Sequence, residues 1–161
     1  MTRATSVTKR FPPDRATASD IDFGDFDALL GYHLRRAHGA MLRGFSGAVA
    51  EFDLTQKQSA ILWLIQLNPG VSQVAVASAL GMDRPTMMAL TDRLELRGLL
   101  TRVRSTVDRR CQELHLTLSG RSLLAKLKKR VARHEQRIRA LFTPAEYEIL
   151  VSALRKLQEH A

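Results

Sequence analysis

The stretch Asp83 to Gly98, DRPTMMALTDRLELRG, restricts what this chain can become more than any other part of it. Asp83 is a residue type that caps helix N-termini, and Pro85 falls in the first turn, where backbone N–H groups have no intrahelical partner to lose. Met87, Leu90 and Leu94 recur at i, i+3 and i+7, a single apolar stripe on a 3.6-residue period. Gly98 then stands where a left-handed residue ends a helix. The pattern predicts one helix with an inward stripe and an outward face of Arg84, Thr86, Met88, Ala89, Thr91 and Arg93. That face is small and partly basic, of a kind that fits a major groove with its N-terminal end at the base edges. An ordinary amphipathic helix with solvated arginines reads the same way, so the neighbouring segments have to decide.

Upstream, Val71 to Leu80 reads as a short helix capped by Ser72 and closed by Gly81. A short helix, a Gly81-Met82-Asp83 turn and a second helix make a helix-turn-helix. Downstream, Leu99 to Arg104 and Cys111 to Thr117 alternate like strands, with Val103, Leu114 and Leu116 the clearest apolar positions. Between them, residues 105–110 form a turn that carries the adjacent Arg109 and Arg110. A helix-turn-helix followed by a hairpin with a basic tip is the plan of a winged helix, so the expected fold is mainly α with a small β-hairpin wing.

The flanks divide the chain into four parts. Residues 1–20 are polar, include Pro12-Pro13 and are expected to be a disordered tail. Residues 21–53 hold Phe26, Leu30, His33/Leu34, Ala37, Met41, Phe45 and Val49 at helical spacing, interrupted by four glycines that each weaken a helix by about 1 kcal/mol. Residues 54–117 are the lobe just described. The lobe opens with the capping box Thr55-x-x-Gln58 and a helix that is apolar on nearly every side from Ala60 to Leu67, Trp63 included. Asn68-Pro69-Gly70 ends that helix. In residues 118–161, after the cap Thr117, Leu124, Leu127, Val131, His134, Ile138 and Leu141 form a heptad-like seam, and Thr143-Pro144-Ala145-Glu146 starts a last helix with Tyr147, Leu150, Leu154 and Leu157 on its apolar face. A lobe of this size cannot bury all these flanking helices, which predicts pairing with a second copy.

At these residues the chain resembles the MarR family of bacterial transcriptional regulators. The resemblance rests on Leu54-Thr55 with Gln58, Asn68-Pro69-Gly70, the helix pair, and Asp92-Arg93-Leu94-Glu95-x-Arg97-Gly98-Leu99. It continues through Arg102, Asp108-Arg109-Arg110 and Leu116-Thr117-x-x-Gly120. It is close over roughly Leu54 to Gly120; the flanking helices match in length and pattern. One departure is Ala89, where the family often has a polar or basic residue. The resemblance implies a winged helix-turn-helix lobe plus N- and C-terminal dimerisation helices, a homodimer, and binding of double-stranded DNA. It makes Arg110 the residue inserted into a minor groove, oriented by Asp108. The DNA-binding candidates are therefore Ser72, Arg84, Pro85, Thr86, Met88, Arg93, Asp108, Arg109 and Arg110.

Composition is compatible with that expectation. Twenty-five Lys and Arg against 16 Asp and Glu give a net charge of +9, which favours a polyanionic partner without separating nucleic acid from an anionic membrane surface. No apolar run has transmembrane or secretory-signal character, so a soluble cytoplasmic protein without membrane association is expected. One cysteine, Cys111, excludes an internal disulfide and a multi-cysteine zinc site. Phosphate-binding glycine motifs are missing, and Gly44-Phe45-Ser46-Gly47 lacks the spacing of a nucleophile elbow. His134-Glu135 begins a zinc-protease signature, but Ile138 stands where its second histidine must be. No metal, no cofactor and no enzymatic activity are expected.

The expected function is a ligand-responsive regulator, a repressor released from a palindromic operator. The family resemblance implies a ligand cleft between the dimer helices and the lobe. Tyr32, His33, Arg36 and Met41 on the first helix, with Trp63 on the second, are the candidates there; their rings and charge suit a small aromatic acid or its acyl-coenzyme A thioester. Two alternatives stay open: a constitutive DNA-architectural protein of the same fold without an effector, and a repressor controlled by thiol redox chemistry through Cys111.

Overall fold

The computed structural model describes residues 21–105 and 112–160. The chain divides into two compact units, Met1–Gly39 and Ala40–Ala161. The expected tail, residues 1–20, and the wing tip with Asp108, Arg109, Arg110 and Cys111 lie outside the described residues.

In the first unit a 3-10 turn at Gly24–Ala28 precedes helix α1, Leu30–Val49, which runs on into the second unit. The apolar period predicts helix from residue 21; the structure delays it to Leu30. Gly24 takes a positive φ of 45°, its N–H bonded to the Asp22 carboxylate at 2.9 Å, and Leu29 is extended at ψ 117°. Both conformations break an α-helical ladder. The turn folds Phe23 and Phe26 back onto Tyr32, with ring centroids 5.6 and 4.9 Å from it.

The second unit contains α2 (Gln56–Leu67), β1 (Val71–Ser72), α3 (Gln73–Ala79), α4 (Arg84–Leu96), β2 (Leu100–Arg104), β3 (Gln112–Leu116), α5 (Leu118–Arg139) and α6 (Pro144–His160). The capping box at α2 forms as expected: Thr55 accepts from the Gln58 N–H, and Gln58 accepts from the Thr55 N–H at 3.0 Å. The strands make an antiparallel sheet in the order β1-β3-β2. The two-residue strand β1 is too short for any periodicity to reveal. It exists because Gly70, at φ 82°, turns the chain so that its N–H reaches the Leu114 carbonyl, after which Val71 pairs with Leu114.

Side chains from α1 to α5 and from the sheet meet in one core: Val49 from α1, Ile61, Leu62 and Ile65 from α2, Val76 from α3, Met87 and Leu94 from α4, Leu100 and Leu114 from the sheet, Leu124 and Leu127 from α5. Burying each of these contributes roughly 1.5–3 kcal/mol. The stripe on α4 therefore faces inward as its period requires, with Leu90 half-buried beside it. Val103 does not follow the expectation. It is 48% exposed, because the register Leu100↔Leu116 and Arg102↔Leu114 turns the even-numbered residues of β2 toward the lobe. Helix α2 is buried along Gln58, Ser59, Ile61, Leu62 and Ile65, while Leu67 at its end is exposed. The seam on α5 is used only in part: Leu124 and Leu127 are buried, Val131, His134 and Ile138 half-buried, Leu141 exposed. No residue of α6 is buried.

Helix α5 begins against the turn that leads from α4 into β2. Thr117 caps it, accepting from the Gly120 N–H at 3.0 Å, while the Thr117 and Ser119 hydroxyls both donate to the Gly98 carbonyl. A Cβ on Gly120 would overlap the Leu99 backbone carbonyl, an atom held on both sides and unable to retreat. Gly120→Ala should lower unfolding stability by about 3 kcal/mol, read as a shifted urea midpoint. A wild-type midpoint would mean that α5 can re-seat on β2.

Candidate nucleic-acid interface

Helix α4 starts at a tight cap. The Asp83 carboxylate accepts the Thr86 backbone N–H at 2.7 Å and the Thr86 hydroxyl at 2.7 Å. Those two bonds hold its carboxyl below the usual carboxylate value of about 3.8. Arg84, Pro85, Met88, Ala89 and Arg93 are exposed and share the outward face; Met88 is half accessible. Thr86 stands at the edge of that face with its hydroxyl committed to Asp83. Ser72, half-buried between β1 and α3, caps α3 by accepting the Ala75 N–H at 3.1 Å. The N-terminus of α4, with Arg84 as its first residue, favours anions, and Arg93 adds a cation in its last turn.

Thr91 is a correction to the outward face expected from the sequence. It is fully buried, its hydroxyl bonding back to the Met87 and Met88 carbonyls and accepting from Arg102 at 2.6 Å. Arg102 is the organising side chain that sequence reasoning missed. From β2 it donates to Asp92 and to Glu95, each at 2.5 Å, and to Gln73 on α3 at 3.3 Å, while its own backbone N–H donates to the other Glu95 oxygen. Arg97 donates to the backbone carbonyls of Phe52 and Asp53, tying the end of α4 to the turn before α2. Asp53 itself is left-handed, φ 47°, at that turn. The acidic and basic residues of 92–102 thus fix the C-terminal half of α4 against strand and lobe and leave Arg84, Pro85, Met88 and Ala89 open to solvent. The inward position of Leu100 in β2 is the sequence signal that would have placed Arg102 on the same side.

The effector candidates fall in two places. In the first unit Tyr32, His33 and Arg36 come together: the Tyr32 ring is packed by Phe23, Phe26 and His33, with the Arg35 and Arg36 guanidinium carbons 5.9 Å from its centroid. His33 Nε2 lies 2.5 Å from the Asp27 carbonyl oxygen. In the second unit Met41 is exposed, and Trp63 is half-buried with the Lys128 ammonium 4.6 Å over its ring. Lys128 also donates to Gln66 at 2.5 Å. Phe23, Phe26 and Lys128 were not anticipated: a 3-10 fold-back and a contact between α2 and α5 are tertiary features that helical spacing does not encode.

The cap on α4 has a pH signature. The folded Asp83 carboxyl binds its proton less readily than the unfolded one, so its stabilisation is complete above the ordinary value near 3.8 and is lost as pH falls through the lower folded value. Asp83→Ala should lower the urea midpoint at neutral pH, and the gap to wild type should close on acidification. Asp83→Asn, which can still cap, should keep most of the stability without that acid dependence. Parallel curves for wild type and Asp83→Ala down to strong acid would contradict this role.

A family model described as MarR family matches residues 52–110, from the turn before α2 to the wing. A proposed transcriptional regulatory protein for the hcr operon of Thauera aromatica is 33% identical over 149 residues, 92% of this chain and 90% of that protein. The transcriptional repressor CouR bound to a 23-mer DNA duplex is 41% identical, with a TM-score of 0.82 over 86% of this chain and 98% of that one. CouR bound to p-coumaroyl-CoA is 39% identical, with a TM-score of 0.81 over 88% and 99%. Bordetella bronchiseptica BpsR, whose DNA binding is regulated by 6-hydroxynicotinic acid, is 28% identical, with a TM-score of 0.80 over 84% and 97%. Lobe, wing and flanking helices are thus shared along nearly the whole length, and the chain belongs to the MarR family of transcriptional regulators.

Proposed function

We propose that two copies of this chain form a cytoplasmic, non-enzymatic repressor that holds a palindromic operator and releases it when a small aromatic acid or its acyl-coenzyme A thioester binds. The observation that carries the reading is the division of α4: Thr91, Asp92 and Glu95 engage Arg102, while Arg84, Pro85, Met88, Ala89 and Arg93 are left to solvent. The exposed side enters the major groove N-terminus first, Arg84 at a guanine edge and Arg93 nearer phosphate, with Ser72 and Thr86 flanking. Arg110, oriented by Asp108 and accompanied by Arg109, enters the adjacent minor groove, where narrow A·T-rich stretches concentrate negative potential. The helices of residues 21–53 and 118–161 dimerise and set the two α4 helices about 34 Å apart, one turn of duplex. The bare apolar faces of α5 and α6 support that pairing.

A lost base contact costs roughly 1–3 kcal/mol at one operator position, whereas a lost phosphate contact weakens all sequences alike and lowers the salt slope by about one. Arg84→Ala should therefore relax specificity, Arg93→Ala should weaken operator and random DNA together, and Arg110→Ala should abolish tight binding at an unchanged melting temperature. Equal losses on operator and random DNA for both α4 variants would overturn the assignment.

For the effector, the support is the Tyr32 cluster, whose rings offer a stacking edge and whose arginines offer bidentate partners for a carboxylate. Ligand-bound CouR and ligand-regulated BpsR support the same chemical class. Titrating aromatic acids and their coenzyme A thioesters against the protein–operator complex should release DNA, and Arg36→Ala should raise the concentration required about ten-fold. Release by peroxide alone, abolished in Cys111→Ser, would transfer control to the thiol. No release by any of these would leave a constitutive DNA-binding protein.

A further inference from the structure

We infer that the cleft between the end of α1 and the middle of α5 is a phosphate site, shaped for the phosphorylated end of a small ligand. The cleft has a volume of about 480 Å³ and lies wholly within the second unit. That volume is in the range of small-molecule sites. Its α5 wall carries Arg130, Arg133, His134 and Arg137, three guanidiniums that helical spacing of three and four places on one face. Its α1 wall is made of small residues, among them Gly47, followed by Glu51.

The charges in it are unequal. Glu51 Oε1 lies 2.6 Å from Arg130 Nε, so one cation is already matched by an anion. Arg133 and Arg137 have no ion pair among the described residues. Two unmatched guanidiniums beside a cleft correspond to the two charges of a phosphomonoester or a diphosphate, and guanidinium forks bind such oxygens bidentately. His134 closes the inner side, edge-on to Phe45 at 6.3 Å and packed so closely on α1 that a Cβ at Gly44 would lie 2.7 Å from its ring. Gly47 leaves the opposite side open, since a Cβ there meets nothing within 4 Å. The site goes beyond the effector reading: a coenzyme A thioester carries such phosphates, a free aromatic acid does not, and the cleft binds the phosphates wherever the acyl end lies.

The test is calorimetric titration of the full-length protein with adenosine 3′,5′-bisphosphate and, separately, with pyrophosphate. Saturable binding of the nucleotide is expected, with pyrophosphate competing if the phosphates alone are read. The double variant Arg133→Gln/Arg137→Gln should weaken binding by about a hundred-fold, ten-fold per charge-assisted contact. Glu51→Gln, which frees Arg130, should tighten it. Gly47→Leu should block the cleft without altering charge and, by replacing a helical glycine, raise the melting temperature, so lost binding there cannot be ascribed to unfolding. Aromatic-acid release of operator should be unchanged in all of these variants, so its failure would count against the effector reading and not against the cleft. Absence of saturable binding for both probes, or equal affinity across wild type and variants, overturns the site. So does weakened operator binding in the double variant with probe affinity unchanged, which would give the arginines to DNA.

Discussion

Arg102 leaves β2 sideways and meets α4 at three points, Thr91, Asp92 and Glu95, before touching Gln73 on α3. A guanidinium has five donors in a rigid plane and no acceptor, so acceptors arranged around it fix direction as well as distance. Helix α4 is short, and its apolar stripe sets how deep it sits but not its rotation about the stripe. The guanidinium supplies that missing constraint. Its side chain is mostly buried while Asp92 and Glu95 remain partly in water, so the network contributes chiefly geometry: surface-exposed ion pairs are individually weak. Arg97 acts similarly at the other end by satisfying two carbonyls of the turn before α2.

Much of this architecture was legible in local chemistry. Asp83, Pro85 and Gly98 mark the ends of α4, Thr55 with Gln58 opens α2, and Thr117 opens α5; in each case a side-chain oxygen satisfies N–H groups that a helix leaves orphaned. What could not be read depends on register and long-range contact. One residue of strand register decides that Arg102, and not Val103, faces the lobe. Hydrogen bonds of one hydroxyl, to the Met87 and Met88 carbonyls and from Arg102, hold Thr91 in the interior, although Ala89 and Arg93 two residues away face solvent. Strand β1 and the fold-back of Phe23 and Phe26 onto Tyr32 each hinge on a glycine at positive φ, whose partner elsewhere no periodicity names.

The flanking helices show the limits of a single chain. On α5 the seam is well buried as far as Leu127 and thins beyond it, and α6 buries nothing. Isolated amphipathic helices of this length are marginal in water, since most helical stability in proteins comes from packing the apolar face. The basic residues along α5 add mutual repulsion that an anion can relieve. Charge and apolar seam therefore occupy different faces of one helix, the first suited to a ligand and the second to another helix.

The inward and outward sides of α4 also differ in what they allow to change. Thr91, Asp92, Glu95 and Arg102 are joined by bonds that a single replacement would leave half-made. The side chains of Arg84, Met88 and Ala89 make no hydrogen bond or ion pair among the described residues. Substitution at those three side chains breaks none of the bonds that hold α4, so these positions can vary while the scaffold is inherited intact. Most of the mutational risk in this segment is therefore carried by the bonded residues Thr91, Asp92, Glu95 and Arg102.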